Sequence, residues 1–279
     1  MRIIDLHCYP NTQKWIDCQG PYVDALEKYW GRAWQAKTEE EVIAEFTEFG
    51  IEAMLVALDL TTTIETPPCD NDYVAGIRDR HDAIIQAWAT VEPVLGQAAI
   101  DEAKHAINDL NMIGFHFHPI MQHIRVDDKR FYPLWDELTQ LKAPVMIDVG
   151  MTGMGAGMPG GLGTKTRNAH PASIDALAAD FPDLTIIMSH PGYPWIDETT
   201  AVALHKGNVF WEMSGWSPKY LPDSLKKDIR SRLKDKVMFG SDYPSIPYKR
   251  ILSEWDQMGY SDDMLEKFFH RNAESILDL

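Results

Sequence analysis

Cysteine is scarce in this 279-residue chain: Cys8, Cys18 and Cys69 are odd in number and form no C-x-x-C pair. Neither a disulfide framework nor a cysteine-built zinc site follows, and a reducing cytoplasm is the expected setting. Positive charge is also short. Lys and Arg number 26 against 42 Asp and Glu, a formal net charge of −16, and such a field repels nucleic-acid phosphates and anionic membrane surfaces alike. No apolar run approaches the roughly 18 uninterrupted residues that a spanning helix needs. The opening MRIIDLHCYP enters a strand-like run after one Arg, without the apolar core and small-residue cleavage site of a signal peptide. With 18 Gly and 17 Pro, collagen-like and low-complexity classes are excluded too.

What remains is a large apolar fraction, 45% of residues, arranged as short apolar runs alternating with helical periodicity. The pattern predicts strands over Ile3–Tyr9, Glu52–Leu60, Ile84–Val91, Ile113–His118, Pro144–Val149, Leu184–Ser189, Val209–Ser214 and Val237–Ser241. Helices with readable ends lie between them. Thr38-x-x-Glu41 is a capping box and Gly50 a C-terminal stop; Pro171 opens PASIDALAADF. Eight strand–helix units over residues 1–279 predict one α/β domain, a closed (β/α)8 TIM barrel. The competing fold is an open doubly wound sheet, supported by Gly155, Gly157 and Gly160 in G-x-G-x-x-G spacing. A dinucleotide fingerprint needs a helix to start at that turn, whereas Pro159, Gly160, Gly161 and Gly163 keep the chain irregular up to Pro171. Residues 151–170 therefore read as a Gly-rich lid loop, and residues 11–37, rich in Trp and Tyr, as an insertion on the strand-exit face.

Ionisable residues cluster where the apolar strands end. Strand one ends Asp5-Leu6-His7, strand four His116-Phe117-His118, strand five Asp148, strand six His190-Pro191-Gly192, strand seven Glu212 and strand eight Ser241-Asp242. Charges at a barrel mouth cost desolvation unless paired. Imidazole and carboxylate converging there are what a borderline divalent ion selects, so a metal site is the leading expectation. His81, His105, His123, His205 and His270 fall in helix-like or loop segments and read as surface or capping residues.

The segments IDLHCYP, GFHFHPIMQHIRVDDKRFYPLWDEL, PVMIDVGMTG, FPDLTIIMSHPGYPW, NVFWEMSGWSPKY, DKVMFGSDYP and NAESILDL, in this order and spacing, resemble the amidohydrolase superfamily, in its amidohydrolase-2 branch of hydrolases and decarboxylases. The resemblance implies a metal-dependent barrel in which His7 and Asp242 hold the ion and His190 is the acid/base. Two positions depart from the family pattern. The first motif reads His7-Cys8-Tyr9 where His-x-His is usual, and strand five presents Asp148 where His is usual. A tyrosine ligates only as phenolate, with an ordinary pKa near 10, so Tyr9 is assigned to the substrate. Asp5, His7, Asp148 and Asp242 then form the expected ligand set for one divalent ion, zinc or manganese, with magnesium as a third candidate.

The resemblance implies non-oxidative decarboxylation of a small aromatic or unsaturated carboxylic acid, with His190 and Asp242 as catalytic groups. Metal-dependent hydrolysis of a lactone, ester or amide, and a non-catalytic binding barrel with a degraded metal site, stay open beside it. The expected partner is a small-molecule carboxylate, with no nucleic acid and no membrane, and a homo-oligomer is compatible. His118, Arg167, Trp195 and Trp216 complete the expected substrate contacts. Arg125, Arg130 and Lys165 are further cations near the strand-four and strand-five loops.

Overall fold

A computed structural model describes residues 1–279. Its eight strands are β1 Ile3–Cys8, β2 Ile51–Val56, β3 Ile84–Ala89, β4 Gly114–Phe117, β5 Val145–Asp148, β6 Ile186–Ser189, β7 Val209–Glu212 and β8 Val237–Met238. All seven neighbouring pairs are parallel and follow chain order. The ring closes between β8 and β1 through Leu6 N to Phe239 O (3.2 Å), Asp242 N to His7 O (2.9 Å) and Tyr9 N to Tyr243 O (2.9 Å). The expected TIM barrel is therefore the observed fold, and its closing seam puts Asp242 beside His7.

Strands buried on both faces must be apolar throughout, and VMID, IIMS and VFWE satisfy this until their last polar residue. One cluster of 76 buried side chains fills the barrel and the layer beneath the helices. Trp88, Trp135, Trp211 and Trp255 are its largest members. Trp88 Nε1 donates to Leu6 O of β1 (2.8 Å), and two others tie loops down: Trp135 Nε1 donates to Val126 O (2.9 Å) and Trp211 Nε1 to His190 O (2.6 Å).

All eight strands are shorter than the apolar pattern predicts, β2 and β8 most conspicuously. β2 stops at Val56 while Ala57, Leu58 and Leu60 stay buried in a loop, because burial alone does not distinguish strand from packed coil. β8 stops at Met238 because Phe239 N turns to the Phe268 carbonyl (2.9 Å), inside a wide π turn at Lys267–Arg271. That turn also divides the closing helix into Asp262–Glu266 and Asn272–Leu277. The capping box forms on both sides, Glu41 N to Thr38 Oγ1 and Thr38 N to Glu41 Oε2, and Gly50 closes that helix at φ 65°.

The insertion folds as helices Gln13–Cys18 and Pro21–Trp30 followed by an extended stretch. The Gly-rich segment forms two short 3-10 turns, Pro159–Gly163 and Thr166–Ala169, before helix Pro171–Asp180. No helix begins at the Gly155 turn, so the dinucleotide-binding alternative falls with the open sheet. No helix is long and apolar enough to cross a membrane.

Candidate metal and acid–base site

Parallel register aligns the polar strand ends. Asp148, Ser189 and Glu212 sit side by side on β5, β6 and β7, and β1 delivers His7 to the same end. His7 is fully buried and held from both sides: Nδ1 lies 3.0 Å from Glu212 Oε1, and Nε2 lies 3.2 Å from Tyr9 Oη and 3.8 Å from Asp242 Oδ1. Asp148 faces three imidazoles, with His116 Nε2 at 2.9 Å, His118 Nε2 at 3.4 Å and His190 Nε2 at 3.5 Å.

Ser214 joins the halves. Its Oγ donates to Glu212 Oε1 (2.7 Å) and lies 2.9 Å from His190 Nδ1, and its backbone N donates to Glu212 Oε2 (2.8 Å). With Nδ1–H donated to Ser214, the His190 ring is turned so that Nε2 faces Asp148.

The charges sort themselves by these contacts. Burial penalises the Asp148 anion, but His116, His118 and His190 outweigh it and hold its carboxyl well below the usual range. Burial likewise opposes the Glu212 charge, and the His7 hydrogen bond and charge overcome it. Burial disfavours the His190 cation, yet Asp148 first, then Asp242 and Glu212, raise its pKa to about 10. His118 is pushed down to about 4, and His116 is lowered, chiefly by burial. Burial pushes the Asp242 carboxyl up despite His190 and His7. Tyr9 is driven well above 10 by burial and then by Asp148 and Asp242, so it stays a phenol.

His190 and Asp242 both adopt left-handed backbone, at φ 70° and 58°. For a non-glycine residue this costs on the order of 1–3 kcal/mol and persists only where the surroundings enforce it. The enforcing contacts are the Trp211 bond to His190 O and the Asp242 N bond to His7 O. Gly215 clears the space: a Cβ there would meet His190 Nδ1 at 2.6 Å and Asp242 Oδ2 at 3.3 Å.

Above this floor opens a cavity of about 700 Å³ whose bottom presents Tyr9, His118, Asp148, His190 and Asp242. Its walls come from Trp15, Trp30 and Trp34 of the insertion, Met151–Met154 of the Gly-rich segment, and Tyr193, Trp216 and Tyr220 after β6 and β7. Of the expected site residues, His7, Asp148, His190, Asp242, His118, Tyr9 and Trp216 are thus brought together. Asp5 is not. Its Oδ1 accepts from His7 N (3.1 Å) and Ser241 N (2.9 Å), and its Oδ2 from Tyr248 Oη (2.8 Å), so this carboxylate stitches β1 to the end of β8. Arg167 is exposed and Trp195 packs on His170 at 4.6 Å; neither lines the cavity. Arg125 and Arg130 pair with Asp127 and Asp128 at the surface.

Two groups of donors lie within 4.8 Å of one another: His7, His116 and Asp148, and His7, His190 and Glu212. Neutral imidazoles and ionised carboxylates are the donor chemistry that a divalent first-row ion takes, which favours the first group, since His190 in the second is held protonated. His116 and Glu212 carry more of this site than their strand-end positions alone indicate. The signal for His116 is its period-two spacing to His118; that for Glu212 is its register with Asp148.

The chain resembles solved structures over its whole length. An uncharacterised TIM-barrel protein of Bordetella bronchiseptica superposes with TM-score 0.79 at 23% identity, covering 100% of this chain and 99% of that one. The 5-carboxyvanillate decarboxylase of Sphingomonas paucimobilis gives 0.72 at 16%, covering 100% and 99%. A dihydroxybenzoic acid decarboxylase of a Polaromonas species, with bound manganese and the inhibitor 2-nitroresorcinol, gives 0.72 at 17%, covering 100% and 97%. At these identities the likeness speaks to the fold alone. No curated protein sequence matches. The Amidohydrolase family profile, however, matches residues 5–279, from the first strand to the last residue, and the chain belongs to that family.

Proposed function

We propose that this protein is a divalent-metal-dependent carboxy-lyase that removes CO2 from an aromatic carboxylic acid. The observation that carries the reading is the convergence of His190 and Asp242, both on left-handed backbone, with His7 and Asp148 under an aromatic-walled cavity. The solved decarboxylases of the same fold support it.

His7 through Nε2, Asp148 and Asp242 would hold the ion, with His116 beside Asp148; manganese and zinc both suit this donor set. When bound, the ion supplies positive charge that holds the substrate carboxylate or a neighbouring oxygen and draws electron density from the ring.

The chain's own groups do the rest. In a decarboxylation the bond from ring carbon to carboxyl carbon breaks with its electron pair left on the ring, CO2 departs, and one proton is delivered to that carbon. His190, held protonated by the surrounding carboxylates, is the group placed to deliver it, with the ion-holding Asp242 beside it. Glu212 fixes the His7 ring from behind and Ser214 fixes that of His190, positioning rather than reacting. Trp216 and Tyr9 flank the path to the floor.

The test is CO2 release from a panel of hydroxylated benzoates and naphthoates, including 2,6-dihydroxybenzoate, by manganese- and zinc-loaded protein. Metal-dependent release that disappears in Asp242→Asn is the expected result. Lactone or ester hydrolysis by the loaded protein without CO2 release from any acid would overturn the reading.

A further inference from the structure

A carboxylic acid substrate in a protein of net charge −16 would ordinarily be met by Arg or Lys, yet none lines this cavity. Among its 21 lining residues there is no Arg and no Lys, whereas eight are Trp or Tyr. The nearby cations lie outside it. Arg32 lies over the Trp34 ring at 5.3 Å and donates to Pro244 O, Lys219 sits over the Tyr220 ring at 4.8 Å and lines a separate groove, and Arg250 pairs with Glu254. Positive charge for a carboxylate would thus be confined to the floor, at the proposed ion.

The upper cavity has a different character. Only nine large apolar side chains are conspicuously exposed on the whole molecule, and four of them, Tyr29 (51%), Trp30 (44%), Tyr193 (45%) and Tyr220 (65%), rim this opening. Exposed aromatic surface gathered at one place marks a binding surface. The volume of about 700 Å³ also exceeds the roughly 150 Å³ that suffices for a benzene ring.

We infer that the ligand of this cavity is a monoacid with an extended, electrically neutral aromatic body of more than one ring, its single carboxylate on the floor and its body against the Trp and Tyr walls. This deepens the carboxy-lyase reading and rests on it for the carboxylate end alone. A second carboxylate on the body would be desolvated among aromatic rings with no cation to pair with, and would be rejected on that ground.

Titration calorimetry on manganese-loaded protein with four probes tests the inference: benzoate, 2-naphthoate, 2-naphthol and naphthalene-2,6-dicarboxylate. 2-Naphthoate is expected to bind about tenfold or more tighter than benzoate, and the dicarboxylate about tenfold or more weaker than 2-naphthoate. Trp216→Ala and Trp30→Ala, both at partly exposed positions, should weaken the naphthyl probes several-fold more than they weaken benzoate. A dicarboxylate that binds as tightly as the monoacid, or benzoate equal to 2-naphthoate, overturns the inference. Wall-dependent binding of 2-naphthol with no gain from the carboxylate upholds the neutral aromatic wall and overturns the carboxylate reading beneath it.

Discussion

At the scale of single residues, His190 and Glu92 show how burial and neighbouring charge set opposite tasks for two ionisable groups. His190 sits among Asp148, Asp242 and Glu212, which keep a proton on it, and its Nδ1 is turned to Ser214. An Asn of similar reach can hydrogen-bond but cannot carry that proton. His190→Asn is expected to keep metal content and KM while lowering kcat by about 10²-fold or more. Metal loss in elemental analysis would make His190 a ligand instead, and unchanged kcat would remove it from the chemistry. Glu92, in the loop after β3, is 1% exposed, and burial followed by Asp59 raises its pKa from 4.5 to about 8. The folded state therefore binds a proton more readily than the unfolded chain between these values. Stability from this group is full below about pH 4.5 and is lost as pH rises through 8. Glu92→Gln should change the denaturant midpoint little at pH 5 and stabilise the protein by roughly 2 kcal/mol or more at pH 9. Equal effects at both pH values would contradict the assignment.

At the scale of elements, sequence and structure agree most closely on which polar residues gather at the strand-exit end, for a physical reason. Strands buried on both faces leave a continuous apolar run, so a terminal His or Asp stands out; His7, Asp148, His190 and Asp242 are legible from that contrast as members of a larger set, and the family resemblance singles them out within it. Asp5 looked identical by the same criterion, because period-two spacing fixes the face of a strand and says nothing about backbone N–H groups competing for the carboxylate. The cavity wall was less legible still. Trp15, Trp30 and Trp34 are aromatic residues in an insertion, and nothing local states whether such rings face the barrel mouth or the surface. Two elements invite direct tests. Gly240, just after β8, leaves room for Glu212: a Cβ would lie 2.2 Å from its Oε2. Gly240→Ala should displace the carboxylate that orients His7 and weaken metal binding at least tenfold, with a stability loss of about 1–3 kcal/mol. Unchanged metal affinity would release Glu212 from that role. Residues 151–170, with six glycines, are proposed as a lid whose ordering depends on ligand contacts. Amide exchange across this segment is expected to be fast in the free protein and slowed by 2-naphthoate; exchange already slow without ligand, and unchanged by it, would remove the lid.

At the scale of the whole molecule, barrel closure and the site are one arrangement. The bond from Asp242 N to His7 O closes the ring between β8 and β1 and at the same time sets the two side chains 3.8 Å apart. A net charge of −16 makes a floor of three carboxylates costly unless cations offset it. His190 supplies part of that offset, and a divalent ion would supply the remainder, so metal removal should lower Tm as well as activity. The most direct test of this account is the divalent-metal content of protein purified without chelator, for the wild type and for His7→Ala, Asp242→Asn and His190→Asn. One ion per chain in the wild type and in His190→Asn, with severe loss in His7→Ala and Asp242→Asn, is the result the account predicts. Full metal content in both His7→Ala and Asp242→Asn would contradict it.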